Sequence, residues 1–168
     1  MRLILEFRPG PIKTGRATYR RSELALDYEG EQVPLVRTVQ SDIESTLGIR
    51  QPTWFAIADT LSLTFSGTDA ELICIDAYSN IERWVQSSDL PLPGITGAGS
   101  VYLARSTHGS DRIDLGIVPK FRYSPGQHRL RIDLGPMPSR YYQVSTCLFV
   151  GLDDEGLAAL DLGELQIV

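Results

Sequence analysis

Apolar and polar residues alternate strictly in many short segments of this chain. Leu61-Ser62-Leu63-Thr64-Phe65 is one, and Leu130-Arg131-Ile132-Asp133-Leu134 is another. A period of two puts alternate side chains on opposite faces of a pleated strand. The pattern predicts an all-β domain in which one face of each sheet is buried.

Leu3, Leu5 and Phe7 share one face of a first strand over 2–7, which Pro9-Gly10-Pro11 ends. Strand-like runs at 24–28 and 32–36 flank Glu29-Gly30-Glu31, a hairpin signal. Runs at 61–65 and 71–78 flank a second turn. Leu72-Ile73-Cys74-Ile75 is apolar on both sides, the mark of a strand covered on both faces. Further strands are expected at 101–105, 113–118, 128–134 and 141–151, with a return over 157–168. Asp89 to Gly99 reads as a surface loop, and Ser124-Pro125-Gly126-Gln127 as a turn.

Two short helical turns have signals of their own. Ser41-Asp42-Ile43-Glu44 and Ser79-Asn80-Ile81-Glu82 both carry capping-box spacing, the first before a helix expected at 42–47, the second before either a helical turn or a strand edge. Ala158-Ala159-Leu160 could also form a turn of helix. Eight to eleven strands with frequent turns suit a single antiparallel two-sheet β-sandwich over residues 1–168, jelly-roll-like. A closed β-barrel is the alternative, since it buries alternate residues equally well.

At 168 residues, with 42% hydrophobic and 22% charged side chains, the chain has ordinary globular composition. It is long enough to fold without metal or disulfide. No apolar run is long enough to span a membrane as a helix. The first residues lack the core and cleavage site of a signal peptide, so the cytoplasm is the expected compartment. Cys74 and Cys147 are read as free thiols that pack as small apolar side chains.

Charge adds a second pattern. Of the 16 basic residues only Lys13 and Lys120 are lysine. Residues 1–22 carry a net +5 and 119–140 a net +4, while 23–118 carry −9 and 141–168 carry −5. The two basic segments are rich in rings. Arg16, Arg20 and Arg21 surround Tyr19, and Arg122, Arg129 and Arg131 accompany Tyr141. Arg129 and Arg131 alternate with Leu130 and Ile132, which predicts that both guanidinium groups face solvent on one sheet surface. Arginine interleaved with stacking rings suits a single-stranded nucleic acid or an acidic polysaccharide. The plainer reading is that basic and acidic segments pair across strands. A pI near 5.0 argues against duplex DNA.

Catalytic signals are weak. Asp59 and Asp76 lie in apolar runs, where a carboxylate needs a partner or a purpose. His108 and His128 are the only histidines. His108-Gly109-Ser110-Asp111 has the residue types of a hydrolase triad, but four consecutive residues cannot assemble one, and it reads as a loop. Gly97-Ala98-Gly99 precedes a strand instead of opening a helix, so it is no phosphate loop. Asp153-Asp154-Glu155-Gly156 lacks the ligand spacing of a calcium loop. No cofactor or metal is implied. Trp54 and Trp84 are candidates for sugar stacking, with core packing the plainer reading.

The expectation is a non-catalytic interaction module that binds a protein partner or its own copy through the Arg/Tyr surface. A module for an anionic ligand is the first alternative. A hydrolase using Asp59, Asp76, His108 or His128 is the second, and it requires at least two of them in one pocket.

Overall fold

The computed structural model describes residues 2–31, 53–91, 94–104 and 111–168. In chain order their strands are β1 (Leu5–Pro9), β2 (Gly15–Arg20), β3 (Ala25–Gly30), β4 (Trp54–Ala58), β5 (Leu61–Phe65), β6 (Leu72–Tyr78), β7 (Val85–Gln86) and β8 (Ile95–Leu103). There follow β9 (Arg112–Asp114), β10 (Lys120–Ser124), β11 (Arg129–Asp133), β12 (Arg140–Gln143), β13 (Leu148–Asp153), β14 (Gly156–Leu162) and β15 (Gln166–Ile167). They form an eight-stranded sheet, β1-β8-β12-β13-β14-β11-β10-β7, and a seven-stranded sheet, β15-β2-β3-β6-β5-β4-β9. Neither sheet closes on itself, so the architecture is a two-sheet β-sandwich and not a barrel.

The alternation explains the layers. Leu61, Leu63 and Phe65 of β5 are buried, while Ser62 and Thr64 between them are partly exposed. Across the gap, Leu130 and Ile132 of β11 and Leu160 and Leu162 of β14 are fully buried. Ala17, Tyr19, Leu26, Tyr28 and Ile75 complete the facing layer. Burying a large apolar side chain is worth about 1.5–3 kcal/mol, so this core dominates stability.

Several details depart from the pattern. The sheets are mixed, because β7–β10, β8–β12, β4–β9 and β2–β15 pair in parallel. β3 forms its hairpin with β2, around a turn in which Leu24 has φ 54. The run at 32–36, paired with β3 in the sequence pattern, lies outside the described residues, as does the helix expected at 42–47. The run at 141–151 is two strands, and the expected loop over 89–99 contains the start of β8. Strand β10 falls in a segment that charge and rings had marked as surface. The strand buried on both faces is β14, since every one of its residues is buried. In β6, Ile73 and Cys74 keep part of their surface.

The second helical signal is realised as a 3-10 turn, Ile81–Arg83, capped by Asn80 through the Glu82 N–H. Another, Pro125–Gln127, ends at His128 in the left-handed region. Residues 158–160 are strand, not helix. Among the described residues, no helix is long and apolar enough to cross a membrane.

Candidate functional site

The basic face foreseen around Arg122, Arg129, Arg131 and Tyr141 lies on the outer side of the eight-stranded sheet. The register lines up Phe149, Asp161, Arg131 and Arg122 across β13, β14, β11 and β10. One pairing step away, Asp133 stands between Ala159 and Lys120. Strand geometry alone therefore brings guanidinium and carboxylate groups from distant segments side by side.

These charges satisfy one another. Asp161 accepts from Arg129 Nη2 at 2.5 Å and from Arg131 Nε at 2.8 Å. Asp133 accepts two parallel bonds from Arg122, Nε at 2.7 Å and Nη2 at 2.9 Å. The Asp161 side chain is 1% exposed, Arg129 7% and Arg131 12%. The solvent-facing placement of Arg129 and Arg131 is thus overturned. Their side chains do leave the core side of β11, but Ser87–Pro91 crosses above them.

That crossing segment is held by polar side chains. Arg129 Nη1 donates to the Leu90 carbonyl, and Arg131 Nη2 donates to the Pro91 carbonyl at 2.9 Å. The Gln127 side-chain oxygen accepts the Leu90 N–H at 2.8 Å, and its amide donates to Asp89 at 2.7 Å. Tyr141 covers the neighbouring part of the face. A Cβ on Gly151 would stand 2.6 Å from Pro138 Cγ and 2.9 Å from Tyr141 Cε1, so only glycine allows this approach. Burial raises the Tyr141 hydroxyl pKa, with Arg131 acting against it.

The second basic segment goes to the other sheet. Arg16 and Arg20 lie on the outer side of β2, while Tyr19 points inward and is fully buried. Tyr19 donates to the Ser79 carbonyl at 2.9 Å and accepts the Ile81 N–H at 3.0 Å. It is a core ring with a satisfied polar tip, not a stacking platform. The alternation Ala17/Tyr19 already carried that signal. Arg20 pairs with Glu23 at 2.7 Å and with Asp27. Arg16 is exposed.

Sequence reasoning missed a carboxyl pair on this face. Asp27 of β3 and Asp76 of β6 stand directly opposite each other, with Ser62 of β5 beyond. Cys74 donates its thiol hydrogen to Asp76 at 3.1 Å. Burial, first, and then the Asp27 carboxyl raise the Asp76 pKa, while the Cys74 thiol opposes them. Burial and the adjacent Asp76 push the Cys74 thiol up to about 12.

The other candidates are scattered. Asp59 is exposed in the two-residue turn between β4 and β5 with φ 52, a conformation that aspartate tolerates. Its place in an apolar strand is therefore corrected. His128 lines a groove of about 640 Å³ with Tyr123, Gln127, Glu164 and Gln166. The carboxyl pair lies instead on the outer face of the seven-stranded sheet. His108 lies outside the described residues. No two of Asp59, Asp76 and His128 share this groove. No cluster of three metal-ligating side chains occurs among the described residues.

Trp84 is buried, donates to Ser79 Oγ at 2.8 Å and stacks on Phe121. Trp54 packs against the core, partly buried. Cys74 and Cys147 are free thiols. The sequence matches no known protein-family model and no curated protein.

Proposed function

We propose that this β-sandwich is a non-catalytic interaction module that binds another protein, its own copy included. The observation that carries the reading is the open edge of the eight-stranded sheet. There, among the described residues, β1 offers five residues with one side of the backbone unpaired by another strand. Such an edge is a ready template for another strand.

The anionic-ligand alternative draws less support. Arg122, Arg129 and Arg131 already hold carboxylates, so a phosphate would have to displace the partly exposed Arg122–Asp133 pair or the buried pairs on Asp161. The hydrolase alternative would need candidate side chains that converge, and the described ones do not.

A thermal-shift panel with oligonucleotides, heparin-like polyanions, neutral glycans and divalent metals, at low and high salt, tests the reading beside sedimentation velocity. Mass that rises with concentration and no ligand shift is the expected result. Saturation at about 100 times the dissociation constant adds about 2.7 kcal/mol, several degrees for a domain of this size. A polyanion shift of that size that vanishes at high salt would replace the reading with the anionic-ligand one.

A further inference from the structure

We infer that two copies of this chain pair through β1, antiparallel and in one register centred on Phe7. The inference rests on the proposed interaction role and names its partner and geometry.

The ladder with β8 decides which backbone groups are free. The Ala104 N–H donates to the Ile4 carbonyl and the Gly10 N–H to the Ala98 carbonyl, each at 3.1 Å. In an antiparallel pair, residues alternate between facing the neighbour and facing away. Ile4, Glu6, Arg8 and Gly10 therefore spend their backbone groups on β8. Leu5, Phe7 and Pro9 point theirs at the open edge. Upstream the edge is already closed, because the Leu157 N–H donates to the Leu3 carbonyl at 2.8 Å. Pro9 lacks an N–H, so the usable stretch is Leu5–Pro9.

A two-fold axis through Phe7 satisfies this stretch. Phe7 of one copy exchanges both backbone bonds with Phe7 of the other. Each Leu5 N–H meets a Pro9 carbonyl, which asks nothing of the missing proline donor. Glu6 of each copy then faces Arg8 of the other at a non-hydrogen-bonded position. Side chains approach most closely there, and opposite charges stabilise the pair.

Both side chains are free to do this. Glu6 is 60% exposed and Arg8 58%, and their contact within one copy is only 3.8 Å. Arg8 rests over the Tyr102 ring, 4.1 Å from its centre, on the outer face. On the other face, the Phe7 ring is stacked on Tyr142 at 3.9 Å. Charge meets charge outside, and apolar meets apolar inside. The competing edges β7, β9 and β15 have only two or three residues each.

Charge reversal tests the register. Sedimentation equilibrium up to about 1 mM compares wild type with Glu6→Arg, Arg8→Glu and the double swap, each checked by thermal melting. Both residues are exposed, so melting temperatures should hold. Each single variant puts like charges opposite twice per dimer and should weaken it about tenfold or more. The double swap should restore it. A wild-type dimer indifferent to the single variants would overturn the β1 interface while leaving the interaction role standing. A wild type that stays monomeric overturns self-pairing altogether. Glu6, Arg8 and Pro9 would then be guards of the edge.

Discussion

The outer faces of the two sheets carry charge in opposite ways. On the eight-stranded sheet, Asp161 sits between Arg129 and Arg131, and Asp133 holds Arg122. On the seven-stranded sheet, Asp27 and Asp76 stand opposite each other, and among the described residues Arg20 is the cation drawn to Asp27 from the next strand. The first face can be covered where Asp161 and Asp133 lie because arginines hold both carboxylates. The second holds like charges together, and a proton relieves it. Identical backbone geometry thus gives a sealed ion-pair network or a proton-sensitive pair, according to which residues the register makes neighbours.

The contrast breaks most severely in the buried network. Arg129→Glu with Arg131→Glu would gather three carboxylates under Ser87–Pro91. The chain should then fail to fold, as far-UV circular dichroism would show. The solvent-facing placement read from the sequence would instead have let the double variant fold. Asp161→Asn is milder. It leaves two buried guanidinium groups without a carboxylate and should cost about 3–5 kcal/mol in urea unfolding. A cost below about 1 kcal/mol would mean that the network is as weak as an exposed ion pair.

On the other face the sign changes. Asp76→Asn removes a like charge opposite Asp27 and should stabilise by a few tenths to about 1 kcal/mol at neutral pH. The folded state holds the Asp76 proton more tightly than the unfolded state does. Stability from this pair is fully present below the ordinary carboxylate value of 3.8 and is lost as pH rises through the raised folded value. Asp153 behaves in the opposite sense. Burial would raise its pKa, but the Arg2 guanidinium at 2.6 Å and backbone donors outweigh it and hold it low. Its contribution is present above 3.8 and is lost as pH falls through the folded value. Unfolding measured from pH 3 to 8 should therefore show Asp76→Asn gaining on wild type as pH rises. A constant difference would remove the account in which the Asp76 proton relieves the pair.

The smallest effect concerns Cys74. Its thiol is partly exposed, yet scarce as thiolate, so alkylation at pH 8 should be slow in the folded protein. Asp76→Asn removes the carboxylate that disfavours the thiolate and should speed the reaction. Unchanged alkylation would mean that Cys74 does not sense its neighbour.

Much of this was legible from local pattern. Strand β5 runs from Leu61 to Phe65 as the alternation predicts, and a helical turn does follow Ser79, although Asn80 caps it and not the serine that the capping-box spacing names. Charge segregation also pointed correctly to pairing between distant segments. The failures share one cause. Arg129 alternates with apolar neighbours as a solvent-facing residue would, but periodicity names a face and not what lies over it. Tyr19 lies among arginines in the chain, but its alternation with Ala17 puts it on the buried face of β2.

By itself, the sequence determined the two-faced strands, and with them an all-β domain with an apolar interior, while two open sheets instead of a closed barrel were decided by the tertiary structure. The apolar interior follows because burial depends on a period that each segment carries within itself. Only the tertiary structure decided that Asp161 would meet two arginines, that Asp27 would meet Asp76, and that β1 would be left at an edge. Those outcomes depend on strand order and register, where neighbours come from segments up to a hundred residues apart and small shifts exchange one partner for another.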